Sequence, residues 1–226
     1  ARQKGVGSDQ YEVIIVVNNP EQEPQKSGQE TDKDYQRKIE HYHKAVKENQ
    51  ETLNLIKIIN GEEADIELTK QEREIVERIK QSGLRVFAID KASPGKNLHE
   101  PEANVGGARN RGVAEAVERF YKQLEKNGII AQTDGDTCLD ENYIQNLIKA
   151  FKENPEAVGL AGELSFEKTE PDDPFFKVIA KYSEMEYRYR KLLDFLANKG
   201  DRKKEGQPLI EDIKFSGANM ASRAFE

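Results

Sequence analysis

Cysteine is nearly absent from this 226-residue chain: Cys138 stands alone, which excludes an internal disulfide framework. Histidine is almost as scarce, and His41, His43 and His99 show none of the spacing that a zinc site uses. Long apolar runs are missing too. The longest, Val13 to Val17, falls far short of the roughly 18 residues a membrane span requires. No basic-then-apolar signal segment opens the chain. Positive charge is not in excess either: 35 Lys and Arg face 42 Asp and Glu, for a net charge of −7. A sequence-independent nucleic-acid binder needs a basic footprint, so that class is set aside. These absences leave a soluble, cytoplasmic protein as the expectation.

What is present points to a folded α/β chain. Charged residues reach 34%, above the roughly 25% of ordinary globular chains. Nine Phe, eight Tyr and discrete Val/Ile runs remain, which is enough to build a sheet core. At roughly 150 residues per domain, the length predicts one domain over residues 1–226.

Residues 1–10 are small and polar and are expected to fray. Tyr11-Glu-Val-Ile-Ile-Val-Val17 reads as a short buried strand, stopped by Asn18-Asn19-Pro20. Tyr35, Ile39, Tyr42, Val46, Leu53 and Ile56 then draw one apolar stripe along a long helix, with Asn49 filling the missing step. Asn60-Gly61 ends that helix. Thr69-Lys-Gln-Glu72 predicts a capping box for a second helix carrying Ile75, Val76 and Ile79, closed by Gly83. Together they form a helical hairpin over residues 31–82.

From Leu84 the pattern becomes strand, helix, strand. Leu84 to Asp90 is a strand, residues 105–126 a helix with Val113, Phe120 and Leu124 on one side, and Ile129 to Thr133 a strand. A helix from Asn142 to Glu153 follows, then a strand from Ala157 to Phe166. A long amphipathic helix runs through Tyr182, Met185, Tyr189, Leu192 and Leu196. Residues 213–216 are extended, and Gly217-Ala-Asn-Met220 turns the chain. Alternating strands and helices predict a mainly parallel sheet with helices on both faces. Such sheets bind ligands at the carboxyl ends of their strands.

Three strand ends carry polar groups: Asn18-Asn19, Asp90 and Asp134-Gly-Asp136. In the last, two carboxylates flank a glycine in a tight turn, so both can face one hard cation. Magnesium or manganese takes few protein carboxylates and keeps places open for phosphate oxygens. Solvated Asp-Gly turns are common, and the tip of a buried strand is what favours the metal reading. An EF-hand beginning at Asp134 would need Gly and Glu where Leu139 and Gln145 stand.

Asn104-Val-Gly-Gly-Ala-Arg-Asn-Arg-Gly112 opens a helix. Its glycines would let backbone approach a ligand, or simply let helix pack on sheet, and Arg109 could pair with a carboxylate or phosphate. It is neither a P-loop nor a dinucleotide fingerprint, because the glycine and lysine spacings fail. Asp90 could accept a hydrogen bond from a base or ribose, or cap its own turn. Cys138 reads as a small buried filler, and the histidines as exposed.

Taken in order, Val13–Val17, Asp90, Asn104–Gly112, Thr133-Asp-Gly-Asp-Thr137 and Ser216-Gly-Ala-Asn-Met-Ala-Ser-Arg223 resemble a family 2 glycosyltransferase of the GT-A type. The resemblance covers roughly residues 11–19 and 84–226. It implies that Val17 and Asn18 border the nucleotide base, that Asp90 contacts the base, and that Arg109 lies near the nucleotide. Asp134 would face the ribose or the metal's water shell, and Asp136 would ligate the metal bridging the donor diphosphate. Gly217 and Asn219 would flank donor sugar and acceptor.

The chain departs from the family's pattern in three places. Asn-Asn-Pro-Glu follows the first strand instead of Pro-x-Tyr/Phe-Asn-Glu. The 31–82 hairpin enlarges what is usually one short helix. The family's Glu-Asp pair, whose Asp is the general base, should follow the Gly-x-Asn-Met segment, yet Glu211-Asp212 precedes it. Either the native chain continues past Glu226 or the domain binds donor without completing the chemistry.

The resulting expectation is a metal-dependent glycosyltransferase. It would move a sugar from a nucleotide-diphosphate-sugar to an unknown acceptor hydroxyl, with inversion, using Mn2+ or Mg2+. A sugar-phosphate nucleotidyltransferase is the second enzymatic class, but it would want a Gly-rich basic loop after the first strand. A non-catalytic nucleotide-sugar-binding or scaffold domain is the third.

Overall fold

The structure is a computed structural model that describes residues 3–19, 22–99, 101–124, 127–135, 137–162, 178, 181, 185 and 219–224. The chain divides into two compact units. One holds residues 1–130, 138–156 and 223–226, and the other residues 131–137 and 157–222.

In the first unit, the two most β-branched runs become β1 (Glu12–Asn18) and β2 (Arg85–Lys91), which pair in parallel. Val13 lies beside Val86, Val17 beside Asp90, and Asn18 beside Lys91. The two-residue alternation of a strand then assigns faces. Ile15, Val17, Val86 and Asp90 share one face, and Val16, Asn18, Phe87 and Lys91 share the other.

Parallel strands need a crossover, and α1 (Asp32–Ile59) supplies it together with α2 (Lys70–Ser82). Thr31 caps α1 by accepting from the Asp34 amide, and Asp32 and Asp34 complement the helix dipole. Thr69 and Glu72 close the predicted capping box on α2, and Gly83 ends it in the left-handed region at φ 69°. Leu53 and Ile56 bury against Val17, Val86 and Ala92, with Ile59, Ile79 and Leu84 at the margin. Each such side chain withdrawn from water is worth about 1.5–3 kcal/mol. The C-terminal turns of α1 are therefore the helix that covers this sheet face. Tyr35, Ile39, Tyr42 and Val46 at its other end are only half-buried.

The opposite face is covered by α3 (Val105–Lys122). A methyl group at Gly112 would sit 3.2 Å from Val16 Cγ2, so the small residue sets how closely helix meets sheet. At the far end the Arg119 guanidinium lies 3.5 Å over the Phe87 ring and forks onto the Glu12 carboxylate. Also in this unit is α4 (Tyr143–Glu153), whose N-cap Asn142 makes no side-chain cap bond. Gln3 takes that role: its side-chain oxygen accepts from the Ile144 amide at 3.0 Å, and the Lys4 amide donates to the Glu141 carbonyl at 2.6 Å. Residues 3–8 thus fasten to the unit instead of fraying, because an uncapped helix start offers donors that the preceding segment can satisfy.

A three-stranded sheet has the order β3-β5-β4, built from β3 (Ile129–Thr133), β4 (Gly159–Ala161) and β5 (Asn219–Arg223). β4 and β5 run antiparallel, with Leu160 beside Ala221 and Ala161 beside Met220. The class is mixed α/β. The strands of the described residues fall into a parallel pair and this sheet, and a single large parallel sheet is not among them. Asn219 and Met220 open a strand where a turn was expected. Asn, Ala and Ser carry little strand propensity, so pairing with β4 decides their conformation.

Three further corrections concern single residues. Helix α3 stops at Lys122, a turn early, and Leu124 is 85% exposed in the left-handed region at φ 55° rather than on the apolar face. Ile75 is likewise exposed on α2. Cys138 is exposed and not a buried filler, because it follows the strand-end turn and precedes α4. His41, His43 and His99 are exposed as expected. Among the described residues no helix is long and apolar enough to cross a membrane.

Candidate functional site

The carboxyl edge of β1 and β2 gathers three of the singled-out residues, because parallel pairing sets Val17 beside Asp90 and Asn18 beside Lys91. Their side chains do not play equal parts. Val17 is 4% exposed and belongs to the core under α1, so only its backbone borders the edge. Asn18 lies half-buried on the α3 face.

Asp90 is heavily engaged. Its Oδ1 accepts from the Ala92 amide at 3.1 Å and the Ser93 amide at 2.9 Å, folding the chain into an Asx turn. Its Oδ2 accepts from the Lys96 ammonium at 2.9 Å. Burial alone would raise this carboxyl. The hydrogen bonds from Lys96, from the Ser93 amide and hydroxyl and from the Ala92 amide outweigh it, and hold the group well below the usual carboxylate range. Four donors nearly fill the acceptor capacity of one carboxylate. A ligand reaching Asp90 would have to displace one of them, and Lys96, 60% exposed, is the one free to swing.

Asn19 is the buried polar residue of the edge. Its side-chain amide donates to the Ala92 carbonyl at 3.0 Å, and its backbone amide donates to the Lys91 carbonyl at 3.2 Å. The Asn49 side chain reaches across from α1, donating to the Asn19 side-chain oxygen and to the Asn18 carbonyl at 3.1 Å. Asn49 interrupts the apolar stripe of α1 because it faces a strand end whose polar groups need partners. Asn19 and Asn49 therefore close the sheet edge internally.

The start of α3 is equally self-contained. Asn104 accepts from the Gly107 amide at 2.9 Å, and a methyl group at Gly107 would come within 2.0 Å of the Glu102 carbonyl oxygen. The close approach that requires this glycine is made by the protein's own loop. Arg109, one turn further along, is half-buried.

Two cavities flank the edge within this unit. One of about 340 Å³ opens on the α1 face beside Asp90, walled by Leu53, Ile56, Asn60, Ser93 and Lys96. The other, of about 400 Å³, lies toward α3 between Lys91, Leu98, Glu102 and Arg111.

In the second unit, Asp134 follows β3 in a turn closed by the Thr137 amide donating to the Asp134 carbonyl at 3.1 Å. Asp134 is half-buried, and a side chain at Gly135 would meet nothing within 4 Å. Asp136, Gly217 and Glu211-Asp212 lie outside the described residues, and so does the Asn219 side chain. No group of three His, Cys, Asp or Glu that could hold a metal occurs among the described residues.

Lys91 and Lys96 escaped notice in the sequence, and Asn49 was noted only as a polar step in the α1 stripe. The polar break in the α1 stripe was a usable signal for Asn49. Lysines flanking Asp90 were a weaker one, because surface lysines are common in a chain this charged. Comparison with protein-family models, with curated protein sequences and with solved structures yields no match.

Proposed function

We propose that the chain is a metal-dependent glycosyltransferase of GT-A type, taking a sugar from a nucleotide-diphosphate-sugar to an acceptor hydroxyl with inversion. The observation that carries the reading is the pairing of Val17 with Asp90. It sets the ends of two parallel strands side by side, under α1 on one face and α3 on the other. Ligands of open α/β sheets lodge at that kind of edge. A half-apolar cavity of about 340 Å³ beside Asp90 has walls suited to a nucleobase.

The turn after β3 is compatible with a hard cation: Asp134 is half-buried beside an open Gly135. Asp134 and Asp136 would hold the ion, since magnesium or manganese completes its shell with water and phosphate oxygens. When bound, it would neutralise the departing diphosphate. On the protein side, Asp90 would orient the base once Lys96 moves aside, and Arg109 would meet negative charge.

The test is titration of uridine and guanosine diphosphate, with and without manganese, into the wild type and Asp136→Ala. Binding by the wild type that needs manganese, weakened at least about tenfold in the variant, is the expected result. Unchanged manganese-dependent affinity in Asp136→Ala refutes the proposal.

A further inference from the structure

Lys91 closes β2 on the α3 face, half-buried, and its ammonium has no ion pair or hydrogen bond among the described residues. It lines the cavity of about 400 Å³ together with Lys96, His99, Glu102 and Arg111. Arg111 reaches Glu102 at 2.7 Å and Lys96 reaches Asp90 at 2.9 Å, so each of those cations has a carboxylate. Lys91 leaves the described wall with an uncompensated positive charge, in a chain whose net charge is −7.

We infer that this cavity is a metal-independent binding site for a small phosphomonoester. An ammonium that lines a cavity without a counter-ion can pair with a bound dianion through charge-assisted hydrogen bonds. Arg111 stands across the cavity on an exposed ion pair, which costs little to exchange. Its guanidinium can turn from the single Glu102 contact to a phosphate, which it can hold with two parallel N–H donors. Glu102, once released, accepts a hydroxyl of the esterified alcohol.

The wall is built rather than loose. Leu98 is 3% exposed and anchors the loop, and the Glu102 carbonyl packs on Gly107. The volume sits at the small end of the roughly 300–1,000 Å³ range of ligand pockets, which suits a phosphorylated small alcohol and not a whole nucleotide-sugar. The site stands without the transferase reading and lies on the other face of the sheet from Asp90.

The experiment is isothermal titration of glycerol phosphate and of inorganic phosphate in the presence of EDTA. The proteins compared are the wild type, Lys91→Gln, Lys91→Arg, Arg111→Gln and Lys149→Gln, the last removing one charge from α4 of the same unit. Glycerol phosphate should bind the wild type without metal, Lys91→Gln and Arg111→Gln should each weaken it about tenfold, and Lys91→Arg should restore it. Lys149→Gln should match the wild type. Absent binding, preference for inorganic phosphate, equal weakening in Lys149→Gln, or no rescue by Lys91→Arg would each overturn the inference. Because EDTA removes manganese, failure here is separable from failure of donor binding at Asp136.

Discussion

Asp90 offers the sharpest test of how this strand edge is held. Asp90→Ala removes the acceptor for two backbone amides and for Lys96. Hydrogen bonds to a charged group are worth about 1.5–3 kcal/mol each, but exposure of the loop on its Lys96 side discounts the ion pair to about 0–1 kcal/mol. The amides dominate, since Ala92 is buried and its N–H donates to Asp90. A loss of about 2–4 kcal/mol is expected for Asp90→Ala, about 1 kcal/mol for Asp90→Asn, which keeps the turn oxygen, and under about 1 kcal/mol for Lys96→Ala.

The pH dependence follows from the sign of the shift. The folded carboxyl titrates below its unfolded value, so its contribution is fully present above about pH 4 and is lost as pH falls further toward the folded value. The gap between wild type and Asp90→Asn should therefore stay constant from neutral pH to about pH 5 and narrow in stronger acid. Urea unfolding gives the stabilities, and amide hydrogen exchange at Ala92 and Ser93 reports the turn directly. If Asp90→Asn costs as much as Asp90→Ala, or the two amides exchange no faster in Asp90→Ala, the Asx turn is not what holds the edge.

Other substitutions probe the surrounding structure. Gly107→Ala drives a methyl group into the Glu102 carbonyl and should cost at least about 2 kcal/mol, read as a lowered thermal midpoint. Asn49→Ala leaves Asn19 without its donor in a 2% exposed site, and should cost about 1–3 kcal/mol in urea unfolding. Thr69→Ala opens the capping box of α2 and should cost about 1 kcal/mol. Leu124→Gly should instead stabilise by about 0.5–1 kcal/mol, because an exposed leucine holds a left-handed conformation there. A neutral or destabilising result in thermal melts would refute that assignment.

From β1 to α4 the order and kind of elements could be read from the chain because the terms that set them are local. A Thr three residues before a Glu, a glycine after a helical stripe, or a β-branched run stopped by Asn-Asn carries its meaning within a few residues. The place of Asp90 in the fold was legible too, because parallel strands separated by helices bring their carboxyl ends to one edge and Asp90 stands at such an end. What each group does there was not legible. Asn49 answers Asn19 from 30 residues away, and the Asn19 amide reaches Ala92 across 73. No periodicity encodes those pairs, because they exist only once α1 lies on the sheet. Likewise, tertiary pairing drew Asn219 to Arg223 into a strand against weak propensity. Of the two readings the sequence left open for Gly107, ligand approach or packing, the close contact with the Glu102 carbonyl supports packing. Short-range sterics and capping act along the chain and are written in it. Side-chain satisfaction acts through space, and only the folded backbone decides which distant donor finds which acceptor.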